Sequence, residues 1–385
     1  MPDTVTESKP NRTHLVVAIA LLLITLAVNV AMPLFRVYAA ASHLNNGQTS
    51  LVFAVYILGM LPCYVFLGGL SDRVGRKPIL VISLLFSMLA TLTITVWPTV
   101  QSLAFARFFQ GVGVGLGMGA GTAYMSELLH PHPRAATAAA NHASLFTSLG
   151  FGGGALATSI ALLIHFSLRP FTYFILIGLS IIGLILLLVI PESKPTGGAL
   201  IRLPYFPKGA APVNMAIAIC WAATGVIIAI IPTQLAKFEL TAYAGFCLVL
   251  VNWTGAFIQP LLRKKRPLQL VRTGLWLVPL GFAVVITGCY YGWLPVILIG
   301  TSIVGMAAYG YSYLGGLALI TTLGDKHKAR AVSGYMFTGY VGFGIPAVCL
   351  GYFADRFQII NALLVFELAV VVLSAALFFV FARRK

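Results

Sequence analysis

Runs of about twenty apolar residues, broken by short polar segments, repeat along almost the whole 385-residue chain. They fall near 14–36, 49–69, 78–97, 99–125, 137–165, 170–190, 212–232, 241–262, 268–290, 293–320, 331–353 and 358–381. A helix rises 1.5 Å per residue, so runs of this length match the roughly 30 Å of hydrocarbon in a bilayer. Strands of a membrane barrel would instead alternate apolar and polar positions over about ten residues. The pattern predicts an all-α membrane protein of twelve transmembrane helices. The first run is too long for a signal-peptide core and is expected to remain as the first helix.

The longest polar interruption, Pro191 to Ala211, is rich in proline, glycine and basic residues and divides the spans six and six. The expected organisation is a cytoplasmic tail over 1–13, a six-helix bundle over 14–190, a linker over 191–211, a second bundle over 212–381 and a tail over 382–385. Weak internal similarity crosses the divide. Arg134-Ala135 before the fifth span matches Arg330-Ala331 before the eleventh, and Arg76-Lys77-Pro78 matches Lys265-Arg266-Pro267.

Composition agrees with a chain dissolved in lipid: 59% of residues are hydrophobic and 9% charged, against roughly 25% charged in soluble domains. The formal charge of +16 is a matter of topology. With the N-terminus in the cytoplasm, inside-facing segments hold all the lysines and arginines except Arg36, Arg107, Arg169, Lys237 and Arg356. That skew is the positive-inside rule at work and removes the case for nucleic acid as a partner. The five cysteines lie in apolar segments without metal spacing, and are expected to be reduced, buried packing residues. His130 and His132 flank Pro131 with no further ligand nearby, so no metal site is expected.

Between the second and third spans the chain reads Gly68-Gly69-Leu70-Ser71-Asp72-Arg73-Val74-Gly75-Arg76-Lys77-Pro78. Gly68 would allow close helix approach, Gly75 a tight turn, and Asp72 would face the positive N-terminal end of the eleventh helix. Arg107 opens Arg-Phe-Phe-Gln-Gly-Val-Gly-Val-Gly, which includes Gln110; an arginine this deep in a span must be paired, hydrogen-bonded or wetted. Gly150, Gly152, Gly153 and Gly154 crowd the fifth span, and Gly342, Gly344 and Pro346 its counterpart, the eleventh. With Pro191-Glu192-Ser193 closing the sixth span, these motifs resemble the major facilitator superfamily and, within it, the drug and metabolite efflux branch. The antiporter motif of that branch normally contains Gly-Pro, and the proline is missing here. The second signature loop is degenerate, with Leu261 at the position matching Asp72.

The resemblance implies two pseudo-symmetric six-helix bundles that rock about a shared central site. It also implies a gate role for Asp72 with Arg73, Arg76, Lys77 and Glu127, and helix-packing roles for Gly150, Gly153, Gly154, Gly342 and Gly344. Candidates for substrate or proton coupling are Asn29, Arg36, Arg107, Gln110, Asn141, His142, Trp221, Asn252, Tyr311, Tyr335 and Glu367. Tyr309, Tyr313, Tyr340 and Gln259 are further residues able to line a chamber for a hydrogen-bonding solute. Arg36 and Arg107, lacking evident acidic partners, would form a positive pair suited to an organic anion if both face the chamber; the alternative is that Arg36 snorkels to the periplasmic interface. Glu367 is the one carboxylate well inside a span.

No span carries a nucleophile, paired-carboxylate or metal-protease pattern, so no enzyme and no cofactor are expected. The expected activity is export of a small organic solute (a drug, siderophore or metabolite, with anions included) by proton antiport from a monomer in a bacterial inner membrane. The alternative is a proton-coupled uptake symporter for an organic acid or sugar, and a distant one is a non-transporting membrane receptor.

Overall fold

The computed structural model describes residues 13–130, 133–192, 195, 197, 199–201 and 203–383. Residues 1–12 with Lys9 and Arg12, Pro131 and His132, Ser193, Lys194, Arg202, Arg384 and Lys385 lie outside the described residues. Among the described residues twelve helices are long and apolar enough to span a bilayer: α1 Thr13–Ala41, α2 Asn46–Phe66, α3 Arg76–Val96, α4 Val100–Leu128, α5 Ala135–Ile164, α6 Phe171–Val189, α7 Ala211–Ala236, α8 Thr241–Leu262, α9 Pro267–Tyr291, α10 Leu294–Leu323, α11 Asp325–Phe357 and α12 Ile359–Ala382. The described residues include no strand.

Helices run past the apolar stretches where hydrogen-bonded backbone continues into polar flanks. α11 extends to Asp325 and Phe357, well beyond the apolar run at 331–353. α1 continues to Ala41 but breaks on the way: regular helix stops at Asn29, a short 3-10 turn covers Met32–Leu34, and helix resumes over Phe35–Ala41. Pro33 lies within that turn; its missing N–H and fixed φ prevent an unbroken ladder. α10 carries a π segment over Met306–Ser312, the kind of local widening that re-aims side chains.

Helices α1–α6 form one bundle and α7–α12 the other, joined mainly where α2 lies along α11 and α5 along α8. These two contacts are equivalent under exchange of the halves, which is the pseudo-two-fold. Glycine makes the close approaches possible. A Cβ at Gly225 of α7 would overlap the Phe343 carbonyl oxygen of α11, and one at Gly342 would stand 2.5 Å from the Ala218 carbonyl oxygen. Gly150 and Gly154 meet α1 at Thr25 and Leu26, Gly153 meets the Leu26 side chain, and Gly344 meets Ile57 across the halves. Close backbone approach is how packing drives helix association where lipid removes the hydrophobic incentive.

α7 is almost wholly enclosed, whereas α6 and α12 lie at the periphery. Peripheral residues such as Val189, Leu368 and Phe379 turn their side chains outward, as a bilayer permits and water does not. Four cysteines are buried as expected; Cys349 is not, because it lies on the outer face of α11 beside Ile345 and Leu58.

Gly225→Val is expected to lower the unfolding temperature in detergent, at a cost of about 1–3 kcal/mol from overpacking. Gly178→Val on α6, where a Cβ meets nothing within 4 Å, should leave it unchanged.

Candidate functional site

The break in α1 builds the centre of the molecule. A helix ending at Asn29 leaves its last carbonyls without intrahelical donors. Two side chains of α4 take them: Arg107 Nη1 donates to Val28 O at 3.0 Å and Gln110 Nε2 to Ala27 O at 2.7 Å. Arg107 also donates to Gln110 Oε1 at 3.3 Å and, from Nε and Nη2, to Phe53 O at 3.4 Å. Its guanidinium lies over the rings of Phe53 and Tyr56 at 5.1 and 4.7 Å. The side chain is 2% exposed. Its partners are thus carbonyls and π-faces, with no carboxylate among them.

Arg107 stands at the inner end of a chamber between the bundles. A deep space of about 80 Å³ is walled by Asn29, Phe53, Tyr56, Arg107, Ile228 and Phe343. Room for two or three waters is all that this volume provides. It shares Phe151, Trp221, Asn252, Tyr309 and Tyr340 with a wider space of about 290 Å³, which continues between Tyr64, Met118, Thr122, Ser144, Thr147, Gln259, Tyr313 and Met336. These latter residues lie toward the helix ends nearest the connector, so the chamber widens toward the connector face. None of its lining residues, among those described, is aspartate or glutamate.

Trp221 of α7 organises the aromatic wall. Its ring lies 4.9 Å from Tyr340, 5.6 Å from Tyr309 and 6.3 Å from Tyr313, while its Nε1 is buried with no hydrogen-bond partner. Asn29 donates to Phe151 O at 2.7 Å, and Asn252 to Leu248 O of its own helix at 2.9 Å. Each amide keeps its oxygen for other use.

The face opposite the connector is closed by bonds between halves. Asp355, near the end of α11, caps the start of α2: Oδ1 accepts from Asn46 N and Nδ2 at 2.8 Å, and Oδ2 from Gly47 N at 2.9 Å. Across α5 and α8, Gly245 N donates to Ser159 Oγ at 3.0 Å. Asp355 was not among the sequence candidates, because a carboxylate at a helix C-terminus reads as a loop charge until the partner helix is known.

On the connector face, Asp72 sits in a one-turn helix, Leu70–Val74, and forms an ion pair with Arg76. Arg76 bonds Ser71 Oγ at 2.6 Å and Glu127 Oε1 at 3.0 Å. Lys77 Nζ caps α6 through Leu188 O and Ile190 O at 2.6 and 2.9 Å. Gly75 has φ +108°, which only glycine adopts without strain. Gly68 does not serve helix packing: α2 ends at Phe66, Gly68 is exposed, and the close approach belongs to Gly69, whose Cβ would overlap Ala199 O. The link from this loop to α11 runs through the connector. Gly197 N donates to Asp72 O at 3.0 Å and Gly69 N to Leu200 O at 3.1 Å; Tyr205 N donates to Arg330 O at 3.0 Å, and Arg330 Nε to Leu203 O at 2.9 Å. Asn141 accepts from Arg263 at 2.8 Å, a bond between halves on this same face.

Several sequence candidates lie elsewhere. Arg36 reaches back to Leu44 O of its own loop at 3.4 Å and lines neither part of the chamber, so the proposed pair with Arg107 is not assembled. Tyr335 is buried with its hydroxyl on Ser312 O at 3.0 Å. Tyr311 faces an outer groove, since helical spacing sends residues 309 and 313 to one face of α10 and 311 to another. His142 lies against His14, ring centroids 5.3 Å apart, with Nδ1 unpartnered and away from the chamber wall. Glu367 is half-buried on peripheral α12, its Oε2 without a hydrogen-bond partner. Phe53, Tyr56, Tyr64 and Phe151 were missed; aromatic residues in apolar spans give no local sign of facing a cavity.

Two six-helix bundles around a chamber sealed at one face are the architecture that rocking transporters use. The family model described as Major Facilitator Superfamily matches residues 17–347, and the chain belongs to that superfamily. It is 36% identical over 126 residues to a 3-(3-hydroxy-phenyl)propionate transporter of Escherichia coli, a match covering 31% of each chain. It is 26% identical over 159 residues to the multidrug resistance protein MdtL of Salmonella paratyphi B, covering 41% of this chain and 39% of that one. The chain thus aligns with less than half the length of these curated relatives. Among solved structures, a mutant of the nucleoside transporter NupG superposes with TM-score 0.80 at 14% identity, covering 96% of this chain and 99% of that one. The human organic anion transporter MFSD10 superposes with TM-score 0.67 at 14% identity, covering 97% and 100%.

Asp355→Asn removes the charge from the α2 cap and is expected to loosen the closed face. In a chain with Cys349→Ser, labelling of Ser50→Cys by a membrane-impermeant maleimide should rise about tenfold, the worth of a charge-assisted over a neutral hydrogen bond. Unchanged labelling would show that the cap does not hold the seal.

Proposed function

We propose that this transporter carries a small organic anion with an aromatic or otherwise flat apolar body. The observation that carries the proposal is the Arg107 guanidinium: buried at the chamber's inner end, held by carbonyls and rings, without a carboxylate counter-ion. An uncompensated charge inside a membrane bundle is costly, and a substrate carboxylate would neutralise it. Trp221, Tyr309 and Tyr340 supply flat faces for the body of the solute, while the Asn29 and Asn252 amides supply hydrogen bonds. The name of the hydroxyphenylpropionate transporter describes a solute of this chemistry.

In this reading the connector face is cytoplasmic, where the positive-inside rule puts the basic loops, and both termini lie on that side of a bacterial inner membrane. The chamber then faces the cytoplasm, with Asp355 closing the outer gate. The loop of Asp72, Arg76 and Glu127, tied through the connector to Arg330 of α11, resists its collapse and must rearrange when the halves rock. One chain encloses the whole chamber, which supports a monomeric unit.

Net export by proton antiport is the leading direction, consistent with the likeness to multidrug resistance proteins. Uptake by proton symport is the second reading, favoured by a specific observation: no carboxylate lines the chamber among the described residues, and an organic acid can bring its own proton.

Arg107→Gln is expected to reduce counterflow of labelled 3-phenylpropionate in proteoliposomes at least about a hundredfold, as loss of a buried charge partner would. The neutral amide of the same acid should be a poor substrate of the wild type. Equal transport of acid and amide, or an unaffected variant, refutes the anion reading. Direction is read separately in inverted vesicles with an acidic lumen: accumulation of the acid indicates export by antiport, and its loss indicates symport.

A further inference from the structure

A second site lies outside the chamber, on the lipid-facing side of the second bundle. Between the end of α8, the first turns of α9, α10 and α12 is a groove of about 600 Å³ lined by Lys265, Gln269, Arg272, Thr273, Tyr311 and Trp276, with Phe378 beside them. The polar groups of this lining are ammonium, guanidinium, amide and hydroxyls, and among the described residues none of the lining is a carboxylate. Such a set donates hydrogen bonds and positive charge to something that only accepts them.

Its depth is informative. Arg272 is five residues into α9, which begins at Pro267, or about 8 Å along the axis. A long arginine side chain about one and a half turns from the connector-face end of α9 is within snorkelling reach of the lipid headgroups on that face. Among the described residues Arg272 has no ion-pair partner; it stacks over Phe378 at 4.6 Å from its centroid, while Trp276 packs edge-on against the same ring at 5.5 Å. The ring pair fixes the guanidinium at the groove floor. Below it, at four-residue steps on the same face of α9, Trp276 is 61% exposed and Leu280 57% exposed. A cationic pocket thus stands directly above an apolar track running toward the bilayer centre.

We infer that this groove is a specific site for an anionic phospholipid, its phosphodiester held by Arg272 and Lys265 and one acyl chain laid along Trp276 and Leu280. Guanidinium and ammonium together match a phosphodiester in charge, and Gln269, Thr273 and Tyr311 can complete its hydrogen bonds. The apolar track selects a lipid over a soluble phosphate. The site belongs to the outer surface of α9 and α12 and stands independently of the chamber's substrate.

The test is thermal unfolding of the purified full chain in detergent, titrated with phosphatidylglycerol, phosphatidylcholine or glycerol 3-phosphate. Phosphatidylglycerol is expected to raise the unfolding temperature saturably, and the other two are not. Lys265→Ala with Arg272→Ala should weaken the apparent affinity for phosphatidylglycerol about tenfold or more. Lys237→Ala, at the opposite face, should not change it. If the double variant does not fold, Lys265→Gln alone, in an exposed loop, should reduce the number of phosphatidylglycerol molecules retained in native mass spectrometry. Equal stabilisation by phosphatidylcholine, reproduction of the effect by glycerol 3-phosphate, or wild-type affinity in the variants would overturn the inference.

Discussion

A positive charge buried in the bundle is the constraint around which this molecule is arranged. Arg107 needs partners because a guanidinium stripped of water in low dielectric is costly, and the fold meets the need with backbone instead of carboxylate. α1 breaks near Pro33 and so presents the Val28 carbonyl; α2 turns the Phe53 carbonyl inward; Phe53 and Tyr56 lay their rings against the cation. These partners keep the arginine ordered and leave its charge uncancelled. The same break frees Ala27 O for Gln110, so one irregularity in α1 fixes two side chains of α4. A straight first helix would leave Arg107 without its closest acceptor.

The contact between the halves is built differently at its two ends. Away from the connector, α2 meets α11 through a carboxylate cap and α5 meets α8 through a serine bond, with glycines allowing close contact. Toward the connector the same helix pairs diverge around the wider part of the chamber, bridged by Arg263 and Asn141 at their ends. The seam is made of a few polar bonds and small-residue contacts, each of which can be exchanged for water at modest cost. The connector is no slack tether: it bonds to the signature loop on one side and to α11 on the other.

The outer surface follows the same economy of charge. Apolar side chains face outward along α6 and α12, and the cations that remain lie near helix ends, where they stack on rings, as Arg272 does, or cap carbonyls, as Lys77 does. Arg36, from which the sequence suggests a substrate contact, follows this pattern too: its guanidinium returns to the Leu44 carbonyl of its own loop.

Number and order of the helices were legible in the chain because hydrocarbon thickness imposes a one-dimensional rule that each apolar run obeys by itself. The family was legible because the Asp72 loop and the Arg107 motif are contiguous. Helix ends and the α1 break were less so: hydrogen-bonded helix continues into polar residues, and Pro33 lies inside an apolar run. The chamber wall was only partly readable, since Arg107, Trp221 and Asn252 stand there while Arg36, Tyr311 and Tyr335 do not. Whether an aromatic residue in a span faces lipid, a neighbour or a cavity depends on the rotation of its helix against others far away in sequence, and apolar periodicity is weak when every direction is apolar. For the same reason only the packed structure could reveal that Asp355 caps α2, which begins 309 positions away. Local chemistry decided which segments could cross a membrane; the packing of distant helices decided which side chains line the chamber.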